Sequence, residues 1–261
     1  MKSTTLLLKL ATVASLSLSS MAQASHIDVT GLIHLWSGNG NVIDSVGTAN
    51  GALGATTSYG TGINGQAFNF DGSNNSDLSI PVNISPSAYP QITMGMYINV
   101  ESIANDRGWI MGQDNGGYDR ALMISDTRFG SGLSAGVGHT YTSSLPSLGD
   151  TLGLWYGIAV SYDQVAKTAT IYINDLDGNS ASETVATNLG NGKSFATLGG
   201  LSQFGGHGVN ALVDDVFIYD RALSASELDV VFSEVPEPST LVIFGTALAG
   251  FVVMRRKKQQ A

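Results

Sequence analysis

The chain of 261 residues has no cysteine, only 6 prolines, and charged side chains at 13% of its positions, against about 25% in an ordinary soluble domain. Without cysteine there is no disulfide framework, no thiolate metal site and no thiol nucleophile. So little charge also excludes a coiled coil and a charged disordered tail. Cations are the scarcer sign: 12 Lys and Arg face 21 Asp and Glu, a formal net charge of −9. Phosphate recognition needs clustered Lys and Arg, so nucleic acid is excluded as a partner. Glycine, at 32 residues, is plentiful, and 43% of the chain is hydrophobic. That suffices for a core, and the length fits one large all-β domain or two small ones.

The cations are unevenly placed. Lys2, Lys9, Arg255, Arg256, Lys257 and Lys258 stand beside apolar runs at the two ends, which leaves 6 basic against 19 acidic residues between His26 and Phe232. The interior is therefore a strongly acidic domain. At the amino end Lys2 and Lys9 precede or interrupt a short leucine-rich run that leads to Ala22-Gln23-Ala24. A basic start, a short apolar centre and an A-x-A exit describe a secretory signal peptide over 1–24.

At the other end Val235-Pro236-Glu237-Pro238 precedes an apolar run over 239–254, then four consecutive cations at 255–258. The prolines stop any helix from continuing through them, so the run is a separate element. It falls a little short of the ~20 residues that cross a bilayer comfortably, and its basic flank would stay cytoplasmic, with the acidic domain outside. This tail resembles the PEP-CTERM sorting signal, carried here by Pro236, Glu237 and Pro238, one membrane helix and a terminal basic cluster. The resemblance implies a Gram-negative host that makes exopolysaccharide, and an exosortase in the inner membrane as the processing partner.

Between the ends the pattern has period two. Ile92, Met94, Met96, Ile98 and Val100 share one face, with Thr93, Gly95, Tyr97 and Asn99 on the other, which predicts a half-buried strand. Residues 155–162 and 167–174 read as a hairpin, 211–219 as a further strand, and Asn-Gly and Asp-Gly pairs punctuate the rest. Ser224-Ala225-Ser226-Glu227 has the spacing of a capping box and predicts one short helix behind it. Many short strands without crossover helices mean an antiparallel β-sandwich.

Four segments resemble, in order, the LamG-like (concanavalin A-like lectin/glucanase) jelly-roll family. They are Leu32 to Trp36 with the Asn41-x-x-Asp44-x-x-Gly47 loop, Gly65 to Gly72, the hairpin from Trp155 to Asn174, and Val213-Asp214-Asp215-Val216-Phe217-Ile218-Tyr219 with Arg221-Ala222-Leu223-Ser224. Relatives with glycosidase activity carry E-x-D-x-x-E on a strand. The only approach here, Glu227-Leu228-Asp229-Val230-Val231-Phe232, ends in Phe and falls in the expected helix, so no catalytic residue is assigned. Four scattered histidines show no zinc spacing, and no G-x-S-x-G elbow is present.

The resemblance implies a structural calcium, held by Asp44 with Asp214 or Asp215. Strand alternation sends the two adjacent aspartates to opposite faces unless a bulge intervenes. The other reading is that both are hydrogen-bonded structural residues. For a sugar, the polar, Gly-rich stretch 113–120 offers Tyr118 as a stacking face with Asp114, Asn115 and Asp119 around it, although it also reads as an ordinary hairpin loop.

The whole is expected to be an all-β antiparallel β-sandwich (concanavalin A-like jelly roll) at 25–233, between a signal peptide and a sorting segment at 234–261. The expected function is that of an exported, exosortase-sorted surface or matrix protein that binds a surface glycan or exopolysaccharide without hydrolysing it, touching the inner membrane only transiently. Two other readings stay open: a structural surface protein tethered by its C-terminal helix, and a glycan hydrolase using a different carboxylate pair.

Overall fold

The computed structural model describes residues 30–102, 107–113, 120–125, 132–137, 140–142, 152–186, 196–200 and 208–233. They form two antiparallel sheets, with strands numbered along the chain. The first has the order β13 (Ser180–Ala186), β12 (Thr168–Asn174), β11 (Trp155–Asp163), β6 (Gln91–Ser102), β15 (Asn210–Tyr219), β4 (Gln66–Asp71) and β3 (Ser58–Thr61), and β1 (Leu32–Trp36) also pairs with β15. The second runs β10 (Thr140–Thr142), β9 (Gly132–Val137), β8 (Arg120–Ser125), β7 (Arg107–Gln113), β14 (Ala196–Leu198), β5 (Leu78–Ile80) and β2 (Ala52–Leu53). The all-β sandwich expected from the sequence is present. The segments 1–24 and 234–261, with Pro236, Glu237, Pro238 and the apolar run 239–254, lie outside the described residues. Among the described residues no helix is long and apolar enough to cross a membrane.

Between the sheets lies the main core, where Trp36, Phe68, Phe70, Met94, Met96 and Ile218 meet Leu78, Ile110, Met111, Leu122 and Leu198. A second apolar cluster covers the outer face of the first sheet, and it corrects the expectation of a half-buried β6. Thr93, Gly95 and Tyr97 on its supposedly polar face are buried as well. The cause is the segment after β15, which folds back over that face and ends in helix α1 (Ala225–Ser233). Leu228, Val231 and Phe232 of the helix pack on Tyr97, Tyr172, Phe217 and Tyr219. Phe232 stacks on Tyr172 at 5.6 Å and meets Tyr97 edge-on at 5.3 Å. Its ring lies so close over Gly157 that any Cβ there would collide with it.

Polar bonds fix the approach of that helix. The Thr93 hydroxyl donates to Arg221 O and accepts from Leu223 N, both at 2.8 Å, and the Ser161 hydroxyl donates to Leu223 O at 2.9 Å. At the helix start Ser224 N donates to Glu227 Oε2 at 2.8 Å, while Glu227 N donates to Ser224 Oγ at 3.3 Å, the reciprocal cap that the sequence predicts.

The hairpin expected from 155 to 174 is β11 and β12. Asp163 Oδ1 accepts from Val165 N and Ala166 N in its turn, and Lys167 takes a positive φ of 55°. The acidic turn after it, at Asp175, is a hairpin connection closed on its own backbone: Asp175 Oδ1 accepts from Asp177 N and Asn179 N.

Candidate functional site

Asp44 is the hub of the loop that follows β1. Its carboxylate is buried and receives five N–H donors. Oδ1 accepts from Leu35 N (3.1 Å), Val46 N (3.2 Å) and Gly47 N (2.9 Å), while Oδ2 accepts from Ala49 N (2.9 Å) and from His34 Nδ1 (2.6 Å). An ionised carboxylate only accepts, so His34 Nδ1 carries the proton in this pair. Asn41 Oδ1 turns the chain toward the hub by accepting from Ile43 N at 2.9 Å. At Gly47 a Cβ would sit 2.6 Å from both Asp44 Oδ2 and His34 Nδ1, so the loop admits no side chain there. The Asn41-x-x-Asp44-x-x-Gly47 spacing thus encodes a loop wound around one carboxylate.

Burial pushes the Asp44 carboxyl up, but the bonds from His34, Gly47, Ala49 and Leu35 outweigh it and hold the group below its ordinary value of 3.8. A carboxylate has about four lone-pair sites. Five donors leave none for a metal, whereas calcium takes six to eight oxygen ligands. Asp44 therefore does not fit the calcium role expected for it. Among the described residues no group of three or more His, Asp or Glu side chains could hold a metal ion.

Asp214 and Asp215 sit elsewhere in the fold, at a break in β15. Up to Val213 the outer edge of β15 pairs with β4, as in Val213↔Phe68, and from Val216 it pairs with β1, as in Val216↔Trp36. On its other edge Asp214 faces Tyr97 of β6, yet Phe217 faces Gly95, so one extra residue is accommodated there. This is a β-bulge, and Asp215 adopts a φ of 45° within it. The strict alternation expected of the two aspartates is thereby broken, and both are buried.

Asp214 Oδ1 accepts from Asp215 N at 2.8 Å, and Oδ2 accepts from Asn64 N at 3.2 Å, tying the bulge to the turn between β3 and β4. Burial and the neighbouring Asp215 charge push the Asp214 carboxyl up to about 8. The proton is accordingly retained at neutral pH.

The expected sugar-binding residues Asp114, Asn115, Tyr118 and Asp119 lie outside the described residues. Their flanks are described, and both are interior: Gln113 is 2% exposed and Arg120 is fully buried. Arg120 Nη1 donates to Ile84 O and Tyr89 O, each at 2.8 Å, and its guanidinium carbon stands 5.3 Å from the centre of the Tyr162 ring. The Tyr162 hydroxyl donates to Ala121 O and accepts from Ala121 N, linking the two sheets. The sequence reading missed this pair of polar interior residues, though a signal was available: Arg120 is one of the few interior cations and opens the apolar run Ala121-Leu122-Met123-Ile124. His34 was missed as well, because its partner is ten residues away.

No carboxylate pair suited to glycosidic cleavage arises in the helix. Glu227 accepts from Arg221 Nη1 at 2.6 Å, and Asp229 accepts from the Tyr172 hydroxyl at 2.6 Å, so both serve the docking of α1.

Residues 70–229 match the family model described as the concanavalin A-like lectin/glucanases superfamily, and residues 234–257 match the PEP-CTERM protein-sorting motif. No curated protein matches the chain. Among solved structures, domain 4 of AbnA, a GH43 extracellular arabinanase from Geobacillus stearothermophilus solved with arabinotriose, is similar at 20% identity with a TM-score of 0.56, covering 77% of this chain and 98% of that one. The ligand binding domain of botulinum neurotoxin serotype D, in complex with N-acetylneuraminic acid, is similar at 13% identity and a TM-score of 0.59, covering 77% of this chain and 50% of that one. The binding domain of Paraclostridial Mosquitocidal Protein 1 is similar at 16% identity and a TM-score of 0.58, covering 77% and 52%. This chain spans about half the length of the latter two, and at such identities the likeness is one of fold.

The two aspartate sites lead to opposite expectations. Asp44→Ala strands a set of buried N–H groups and should cost about 3 kcal/mol or more, read from the shift of the urea unfolding midpoint. Asp214 binds its proton more tightly folded than unfolded, where its pKa is near 3.8. Its contribution to stability is therefore full below pH 3.8 and is lost as the pH rises toward 8. Asp214→Asn should flatten the fall in unfolding midpoint between pH 5 and pH 8 and leave the variant more stable than the parent chain at pH 8.

Proposed function

This chain belongs to the concanavalin A-like lectin/glucanases superfamily, and on that footing we propose that it is a non-enzymatic glycan-binding module of the bacterial surface or extracellular matrix. The observation that carries the reading is a juxtaposition. A sandwich of the lectin superfamily ends in helix α1 at Ser233, and the PEP-CTERM motif begins at residue 234. That motif implies export and exosortase-mediated sorting to the cell surface, where the polymers within reach are exopolysaccharide and surface glycans.

On this reading the chain's partners are the exosortase, then a glycan. The described carboxylates nearest to a glycosidase pattern, Glu227 and Asp229, are engaged in packing the helix. Support for a sugar ligand comes also from the similar fold solved with arabinotriose. Electrophoresis of the purified chain through gels cast with exopolysaccharide from an exosortase-bearing bacterium should retard it, with no reducing ends released on prolonged incubation. Unretarded migration sinks the binding role, and release of reducing ends sinks the non-enzymatic one.

For calcium the reading keeps only the Asp214–Asp215 bulge, where the ion would displace the proton that Asp214 holds, since Asp44 has no free lone pair. A melting temperature that is higher with calcium than with chelator, and indifferent to calcium in Asp214→Asn, is the expected signature. Equal melting temperatures in the parent chain remove calcium from the reading.

A further inference from the structure

Helix α1 has a direction relative to the first sheet. It begins beside Thr93 and Ser161, whose hydroxyls hold Arg221 and Leu223, and ends with the Phe232 ring over Gly157 and against Tyr97. Gly157 lies opposite Tyr97, so the helix runs along β6 from residue 93 toward residue 97. Just past that level the sheet ends. Trp155 lies opposite Asn99, Asn99 Nδ2 donates to Gly153 O at 3.1 Å, and Gly153 N donates to Val100 O at 2.9 Å. The turn after β12 is at the same end, since Asn174 lies opposite Gly157.

This end of the sandwich is apolar. Trp155 and Leu176, both half-buried, carry the cluster under α1 out to the surface. Leu152 and Leu154 stand beyond them, 46% and 58% exposed. A lone exposed leucine is ordinary, but these two are fixed beside a tryptophan at the end toward which the last helix points.

The chain beyond α1 limits what can face them. Ser233 ends the helix and the apolar run starts at 239, so five residues intervene, two of them proline. Fully stretched, the path from Ser233 to residue 239 reaches about 20 Å. The polar headgroup layer of a bilayer takes roughly 5–8 Å of it. The other end of the sheet is about 30 Å away, the length of the nine residues of β11. With 239–254 in a membrane, only the end bearing the leucines comes within reach of the lipid.

We propose that, before the tail is processed, the sandwich rests on the bilayer surface through Leu152, Leu154 and Trp155. The leucines enter the interface, and Trp155 lies at headgroup depth, where its amphipathic ring is favoured. The inference rests on the sorting reading above, in which 239–254 spans the inner membrane. Glu101, next to Val100, and Asp177, next to Leu176, are exposed and acidic, so the contact is apolar and owes nothing to attraction by anionic lipid.

The chain has no cysteine, so Leu154→Cys and Val165→Cys each supply one labelling site. Val165, 82% exposed in the turn between β11 and β12, reports on the far end. The full chain, with an environment-sensitive dye at either position, is reconstituted into phosphatidylcholine vesicles and quenched by lipid that carries a nitroxide near its headgroup. Quenching at 154 should be at least threefold that at 165. Adding Leu152→Asp, a change at an exposed position, should at least halve it at an unchanged melting temperature.

Equal quenching at 154 and 165 overturns the proposal. So does protection of the 154 dye from nitroxide lipid and aqueous iodide alike, because protein then covers it. Quenching at 154 that survives Leu152→Asp overturns it too, since the tether alone then sets the position. A chain that does not float with the vesicles overturns this contact together with the membrane reading of the tail, whereas flotation without selective quenching overturns the contact alone. Retardation by exopolysaccharide tests the glycan role independently of either outcome.

Discussion

β15 pairs with β6 on one edge and with β4 and then β1 on the other, and both of its faces are buried. One strand therefore joins the inter-sheet core to the aromatic cluster under α1. Any residue in its middle must satisfy two apolar layers and two ladders at once. The place where that demand is relaxed is the bulge at Asp214 and Asp215, where the outer edge passes from β4 to β1. An extra residue there absorbs the change of partner, and two carboxylates occupy what would otherwise be a break in hydrophobic packing. The Asp214 carboxyl meets this setting by keeping its proton. The backbone meets it by a left-handed residue that is not glycine, a conformation tolerated by aspartate better than by most side chains.

Much of this was legible in advance. Alternating apolar residues, Gly-rich turns and the Ser224–Glu227 cap specify strands, hairpins and a helix start through local chemistry alone. The Asn41-x-x-Asp44-x-x-Gly47 spacing also locates the first loop correctly. What it does not disclose is that Asp44 spends both oxygens on N–H donors, since the same carboxylate in the same motif serves equally for a cation. Burial of the second face of β6 was illegible for another reason: the cover comes from a helix more than a hundred residues later. The Arg120 and Gln113 pair escaped notice because polar residues beside a Gly-rich turn read as surface. Only the register of β7 against β8 and the parity of Met111 and Leu122 turn them inward.

Charge scarcity has the same origin. A sandwich with a helix laid over one outer face gives long charged side chains few places to stand. The ionisable groups that remain inside are used for geometry: Asp44 winds a loop, the neutral Asp214 seats a turn, and Arg120 ties the 84–89 segment to the hairpin end. A protein without disulfides thus draws its local order from buried polar groups and their hydrogen bonds, with electrostatics standing where covalent cross-links stand in disulfide-rich folds.

The pairing of β1 with β15 has a temporal meaning. The first strand of the first sheet finds its ladder partner only after some 180 further residues have been made, since Leu32 lies opposite Tyr219. Contacts this distant in sequence form slowly and reward the chain late. The first sheet is complete only once β15 has been made, so its closure is the last step that the order of the chain allows.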